Sequence, residues 1–172
     1  MRWLAPVLSF TAEEVWKELP GDRAKTIFVS TWYEGLTELD ESTEMNSAYW
    51  EEMIAVRSAV AKQLEQLRAD KVIKASLTAE VTLYCDDEIY NKLSKLQDEL
   101  RFVLITSEAT LKPLADKSDT AIESEMPGLW IDAGATEKPK CARCWHHREE
   151  VGSIAEHPEL CQRCVDNVEG DG

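Results

Sequence analysis

Apolar positions recur along the chain in patterns that change character three times. Tyr49, Met53, Val56, Val60, Leu64 and Leu67 are spaced by four, three, four, four and three residues, which puts them on one stripe of a helix. That helix is predicted to start near Ser47 and to fray near Asp70. Ala79 to Tyr84 alternates apolar and polar and reads as a strand. Asp87 to Leu100 returns to the helical period, with Ile89, Leu93, Leu96 and Leu100 inward, and Phe102 to Ile105 continues the core. Ala109-Thr110-Leu111 begins a second strand, Pro113 to Met126 reads as a polar loop, and Leu129 to Ala133 as a third strand. A small sheet with helices packed on one face suits this order.

The flanking segments differ. Thr11-Ala12-Glu13-Glu14 has the form of a capping box, followed by Val15, Trp16 and Leu19 as an apolar face and by Pro20-Gly21 as a stop. Thr26 to Thr31 is β-branched and short, and reads as extended. Glu34 to Glu44 is acidic and reads as a linker. Beyond Thr136 apolar residues become sparse. About 35 residues of this kind cannot bury enough surface to fold unaided. The fold class is therefore α+β, with three segments: 1–44, helical and ending in a linker; 45–136, a long helix plus a small sheet; and 137–172, a module that needs a metal.

Four of the five cysteines, Cys141, Cys144, Cys161 and Cys164, form two Cys-x2-Cys pairs separated by sixteen residues. No secretory signal is predicted, because the apolar N-terminal stretch is short and broken by Pro6. In that setting the spacing reads as zinc rather than disulfides, the competing reading being a redox dithiol. Four thiolates close a tetrahedral shell and leave no open position, so the site is expected to be structural. His146 and His147 follow Cys144 closely, either as substitute ligands or as exposed neighbours. His157, before Pro158, reads as a turn residue, and Cys85 as a buried free thiol.

The chain has 172 residues, with 19 Lys plus Arg against 33 Asp plus Glu, for a formal charge of −14. Such a chain is not a bulk nucleic-acid binder, and any such contact must come from local basic patches. Two patches exist. Lys138, Lys140, Arg143 and Arg148 lie in an eleven-residue run without an acid, with Trp145 among them and Arg163 in the second knuckle. Cations beside an aromatic on a metal-held loop suit a phosphate backbone and an unpaired base. The alternative is a solvated surface with Trp145 as a small core. Arg57, Lys62, Arg68, Lys71 and Lys74 along the long helix outnumber Glu65 and Asp70 and form the second patch. No window reaches the roughly 20 apolar residues of a membrane span. No Gly-rich phosphate loop, nucleophile elbow or His-Glu-x-x-His motif is present, so no chemistry is expected from this chain alone.

The run from Cys141-Ala142-Arg143-Cys144-Trp145-His146-His147 through Val151-Gly152 to His157-Pro158-Glu159-Leu160-Cys161-Gln162-Arg163-Cys164, continuing to Gly172, closely resembles the C-terminal zinc module of bacterial isoleucyl-tRNA synthetases. Leu4 to Trp16 looks like the end of the helical anticodon-binding domain of class I synthetases. Glu99 to Glu108, with the Trp50 to Leu77 helix, is similar to the junction region of the isoleucine enzyme. The family's catalytic and editing domains and its short basic tail have no counterpart here, so the chain is expected to be a C-terminal fragment of a longer enzyme. The resemblance implies a parent that activates isoleucine with ATP and loads it onto its tRNA in the cytoplasm, as a monomer by default. This part would grip the anticodon stem-loop. Its zinc ligands would be Cys141, Cys144, Cys161 and Cys164, and its partners isoleucine tRNA and the remaining domains, with no membrane and no DNA. RNA contacts are expected at Arg143, Trp145, His146, Arg148 and Arg163, backed by Arg57, Arg68 and Lys71. Two alternatives stay open: a structural zinc cap that never touches RNA, and the four-cysteine module of a formamidopyrimidine-DNA glycosylase, which grips DNA.

Overall fold

A computed structural model describes residues 1–170. The chain divides into two compact units, Met1–Asp40 and the residues from Glu41 onward. The break falls inside the predicted linker. The last two residues of the C-terminal motif lie outside the described residues.

In the first unit, α1 spans Ser9–Glu18. The predicted capping box does not form. Leu8 is the N-cap and makes no side-chain cap bond. Thr11 already lies within the first turn, because residues 1–8 coil ahead of it and the Ala12 amide donates to Leu8 O at 2.8 Å. The Glu14 amide that a Thr11 cap would serve lies inside the helical ladder. Glu13 accepts instead from Ile27 N at 3.0 Å and Thr26 Oγ1 at 2.9 Å. That ties down Thr26–Ser30, whose centre is a 3-10 turn over Ile27–Val29 rather than an extended run. The small core is Ala5, Ala12, Trp16 and Ile27. Val15 and Leu19, expected inward, are exposed. Ala12 and Trp16, one turn apart, set the buried face instead.

The second unit carries the main core. The helix α2, Ser47–Ala69, begins where Asn46 Oδ1 accepts the Tyr49 amide at 3.1 Å. Its stripe is buried as the spacing predicts, from Tyr49 and Met53 through Val56 and Val60 to Leu64. It ends in a Schellman motif: Val72 N donates to Leu67 O and Lys71 N to Arg68 O, with Lys71 at φ 60.

Strand β1 (Ala79–Cys85) leads into α3 (Asp87–Leu93) and α4 (Leu100–Leu104), then β2 (Glu108–Pro113), β3 (Ile122–Glu123) and β4 (Leu129–Ala135). The sheet order is β2-β1-β4-β3. β1 and β2 run parallel, joined by the α3–α4 crossover, while β4 is antiparallel to both β1 and β3. Val81, Leu83, Leu129 and Ile131 face the buried residues of α2, α3 and α4. Asp87 to Leu100 is not one helix. It kinks at Gln97 (φ 47, ψ −128), and Ile89, Leu93, Leu96 and Leu100 are all buried across the break. Beyond it Leu104 is buried, but Ile105 takes a left-handed φ of 57 and points outward. β3 occupies two residues of the expected loop. Cys85 is buried, and burial pushes its thiol up to about 12.

Gly128 joins β3 to β4 at φ +80, and its carbonyl accepts the Asp86 amide at 2.9 Å. A Cβ there would meet Asp86 Oδ2 at 2.0 Å. Asp86 caps α3 through Oδ1, which accepts the Ile89 amide at 3.0 Å. Gly128→Ala therefore strains the turn and displaces the cap together, for an expected loss of roughly 2 kcal/mol in urea unfolding. An unchanged midpoint would contradict that coupling.

Candidate functional site

Residues 138–170 fold around sulfur. Their core is Cys141, Cys161 and Cys164, with Cys144, Val151 and Leu160 packed against it. The first knuckle is a tight turn in which Cys141 N donates to His146 O at 2.9 Å and Trp145 N to Cys141 O at 3.0 Å. The second runs into α5 (Gln162–Glu169), with Cys161 at its N-cap and Gly170 ending it at φ 85. The knuckles are cross-linked by Ala142 N to Glu159 O at 2.9 Å and by Cys161 N to Cys141 Sγ at 3.3 Å.

All four Sγ atoms lie within 4.8 Å of one another, and Cys144 Sγ is 3.6 Å from Cys161 Sγ. A zinc–sulfur bond of about 2.3 Å requires tetrahedral edges of about 3.8 Å, so the donor set fits a thiophilic tetrahedral ion. Burial opposes ionisation of Cys141, but amide donors from Cys144, Cys161 and Arg143 outweigh it and bring the thiol down to about 6. Burial pushes the Cys161 and Cys144 thiols up.

The module is fastened to the sheet. Thr136 N donates to Thr78 O at 2.9 Å, and His147 N to the buried Ser107 Oγ at 2.6 Å. His147 Nδ1 meets Lys138 O at 2.6 Å, which makes it a backbone clasp rather than a ligand. Lys138 bridges Glu80, at 3.1 Å, and Glu108. Hydrogen bonds from Thr136 and Lys138, with the Lys138 charge, hold Glu80 below the usual carboxylate range against a burial effect that raises it. Arg148 reaches Ser107 O at 3.4 Å and Glu150 at 3.4 Å.

These placements sort the residues singled out from the sequence. Trp145 is 60% exposed and sits at φ 67, with Lys140 Nζ 4.8 Å from its ring centroid. It is therefore not the module's core; cysteine sulfur takes that place. His146 is 8% exposed, not an exposed neighbour, and packs edge-on against Phe102 at 5.1 Å. Burial, then the Arg101, Arg163 and Arg148 charges, lower its pKa. Arg143 is exposed, with Nη1 3.8 Å from Cys164 Sγ. The Arg163 guanidinium lies 4.5 Å from the Phe102 ring centroid. Arg57 is exposed on α2, Arg68 engages Glu65 and Ser76, and Lys71 closes the helix. His157 meets Glu169 at 3.5 Å. Phe102 and Ser107 were missed, since nothing in local spacing marks a residue whose partners lie forty or more positions on.

Comparison with known proteins agrees with this architecture. The anticodon-binding domain of tRNA ligases matches residues 1–83. The zinc finger found in FPG and IleRS matches residues 138–167. Relatives named isoleucine–tRNA ligase are 56% identical in Methylococcus capsulatus, 53% in Aliivibrio fischeri and 53% in Pseudomonas aeruginosa, each over all 172 residues. The chain matches the C-terminal region of the isoleucine–tRNA ligases over its full length. It spans 18% of the length of those relatives. The isoleucine–tRNA ligases are aminoacyl-tRNA synthetases. No helix among the described residues is long and apolar enough to cross a membrane.

Proposed function

We propose that this chain is the anticodon stem-loop binding region of an isoleucine–tRNA ligase, a cytoplasmic enzyme that as a whole uses ATP to attach isoleucine to its tRNA. One zinc ion, held by Cys141, Cys144, Cys161 and Cys164, shapes the reading surface. Its partners are isoleucine tRNA and the remaining domains of the synthetase, with no DNA and no membrane, and the enzyme acts as a monomer. The carrying observation is Trp145, a large aromatic kept 60% exposed on a sulfur-pinned turn beside Lys140. A π-face held out in this way stacks an unpaired base, while Arg143 and Lys140 take neighbouring phosphates. The left-handed φ costs about 1 kcal/mol for a bulky residue, and the knuckle bonds hold it in place. Arg57 and Lys71 stand exposed on or beside α2 as secondary phosphate contacts. His146 and Arg148 support the surface from behind.

The test is a titration against isoleucine tRNA and one unrelated tRNA at fixed, near-physiological salt, with and without a zinc chelator. Tighter binding to isoleucine tRNA that chelation abolishes is the expected result. Equal or undetectable binding to both would favour the second reading, a structural cap. That reading draws support from the net charge of −14 and from Lys138 and Arg148, both engaged by carboxylates.

A further inference from the structure

Four thiolates around one divalent cation carry a net charge of two minus. Burying that charge is costly unless cations sit close by. One guanidinium touches the cluster, and three more line a cavity that reaches it. Arg143 Nη1 lies 3.8 Å from Cys164 Sγ. Arg101, Arg148 and Arg163 line one small cavity together with Cys144, Cys161, Phe102 and His146. Two of them are already answered by carboxylates: Arg101 by Asp98 at 2.7 Å, and Arg148 by Glu150 at 3.4 Å. Arg163 has no carboxylate partner among the described residues. It lies in the first turn of α5, between Cys161 and Cys164, and is steered across the module boundary onto Phe102 of α4. Arg101 covers the same ring at 4.6 Å, and the buried His146 meets its edge. Phe102 is thereby clasped by one guanidinium from its own helix and by two groups from the metal module.

We propose that Arg163 is a positioning residue for the metal shell rather than an RNA contact. Its charge balances the thiolates, and its stack on Phe102 latches the metal module to the α/β domain. The latch closes only when the knuckles are formed, since α5 and the His146 turn are both organised by the cysteines. Metal occupancy then dictates how the module is presented by the rest of the chain. Arg163 is exposed overall, yet its guanidinium lies over the half-buried ring of Phe102 on α4 rather than in open solvent.

This inference rests on the zinc reading, and the experiment separates the two. Zinc affinity of the full 172-residue chain is measured by competition with a chromophoric chelator. Docking is read from amide exchange at Thr136 and His147, whose bonds fasten the module to the α/β domain. Arg163→Met is expected to weaken zinc binding about 10-fold and to speed exchange at those amides. Arg163→Lys should recover most of the affinity, because the charge returns. Phe102→Leu should speed exchange while leaving zinc affinity near that of the parent chain, and it is the variant least apt to misfold. Unchanged affinity and unchanged exchange in both Arg163→Met and Phe102→Leu would overturn the proposal while leaving the metal site intact. So would a loss of tRNA binding in Arg163→Met with zinc affinity and exchange untouched, which would return Arg163 to the RNA-facing set. A parent chain that takes up no zinc would overturn both readings.

Discussion

Replacing Cys161 by alanine is expected to strip the metal from the chain and to unfold the residues beyond about 137, while the helices and sheet of 47–135 stay folded. Cys161 is more than one of four ligands. Its amide donates to Cys141 Sγ at 3.3 Å, its sulfur is 3.6 Å from Cys144, and its carbonyl receives the first amides of α5, from Cys164 and Val165. The module has little apolar core to fall back on, since Val165 is buried but Val151 and Leu160 are only partly so. The metal contributes roughly 10–16 kcal/mol to such modules, and nothing else here approaches that. The neighbouring domain has its own reserve, with Met53, Leu83, Leu93, Leu100 and Ile131 essentially inaccessible. Metal content by elemental analysis, with amide exchange segment by segment, checks both halves of the expectation. A Cys161→Ala chain that still carries one zinc would refute the ligand assignment. Acidification should act in the same direction on the parent chain. Protons compete with zinc for the thiolates, so affinity falls as pH falls.

The double substitution Trp145→Ala with Arg143→Ala is expected to lower affinity for isoleucine tRNA by about 100-fold with one zinc retained. Loss of a stacked base accounts for roughly 1–3 kcal/mol of this, and loss of a phosphate contact for most of the rest. The fold should change little, because Trp145 stands in solvent; Arg143 is also exposed, but its Nη1 lies 3.8 Å from Cys164 Sγ, so zinc affinity should fall somewhat without emptying the site. Arg148→Ala is the contrast. It removes a guanidinium bound to Ser107 O and Glu150, so it should loosen the module on the sheet more than it weakens RNA directly. Anisotropy titrations at one salt concentration, with metal content measured on the same samples, distinguish the cases. Parent-like affinity in the double variant would leave the module as scaffold.

Several elements were legible because their signal is local. The α2 stripe is one: a spacing of three and four on a helix decides which face is buried whatever the partner. The metal cluster is another, since two Cys-x2-Cys turns converge wherever the loop between them closes. The strand β1 followed from alternation. The capping box at Thr11 failed because a cap depends on what precedes it, and residues 1–8 were already coiled. The Asp87 to Leu100 helix failed at Gln97, where the chain turns between two helices that cover one sheet. Apolar spacing survives such a kink, so the pattern conceals it.

Periodicity and cysteine spacing determine an α+β domain bearing a four-cysteine cluster, because helix and strand periods and each Cys-x2-Cys pair depend on residues within one or two turns of each other. The parallel pairing of β2 with β1, the outward turn of Trp145, the inward turn of His146 and the seat of Arg163 on Phe102 were decided by packing. A ring or a guanidinium has the same local sequence whether it faces solvent or core. The choice is made by partners such as Ser107 for His147 and Phe102 for Arg163, forty and sixty-one positions away, and only the folded chain brings them within reach.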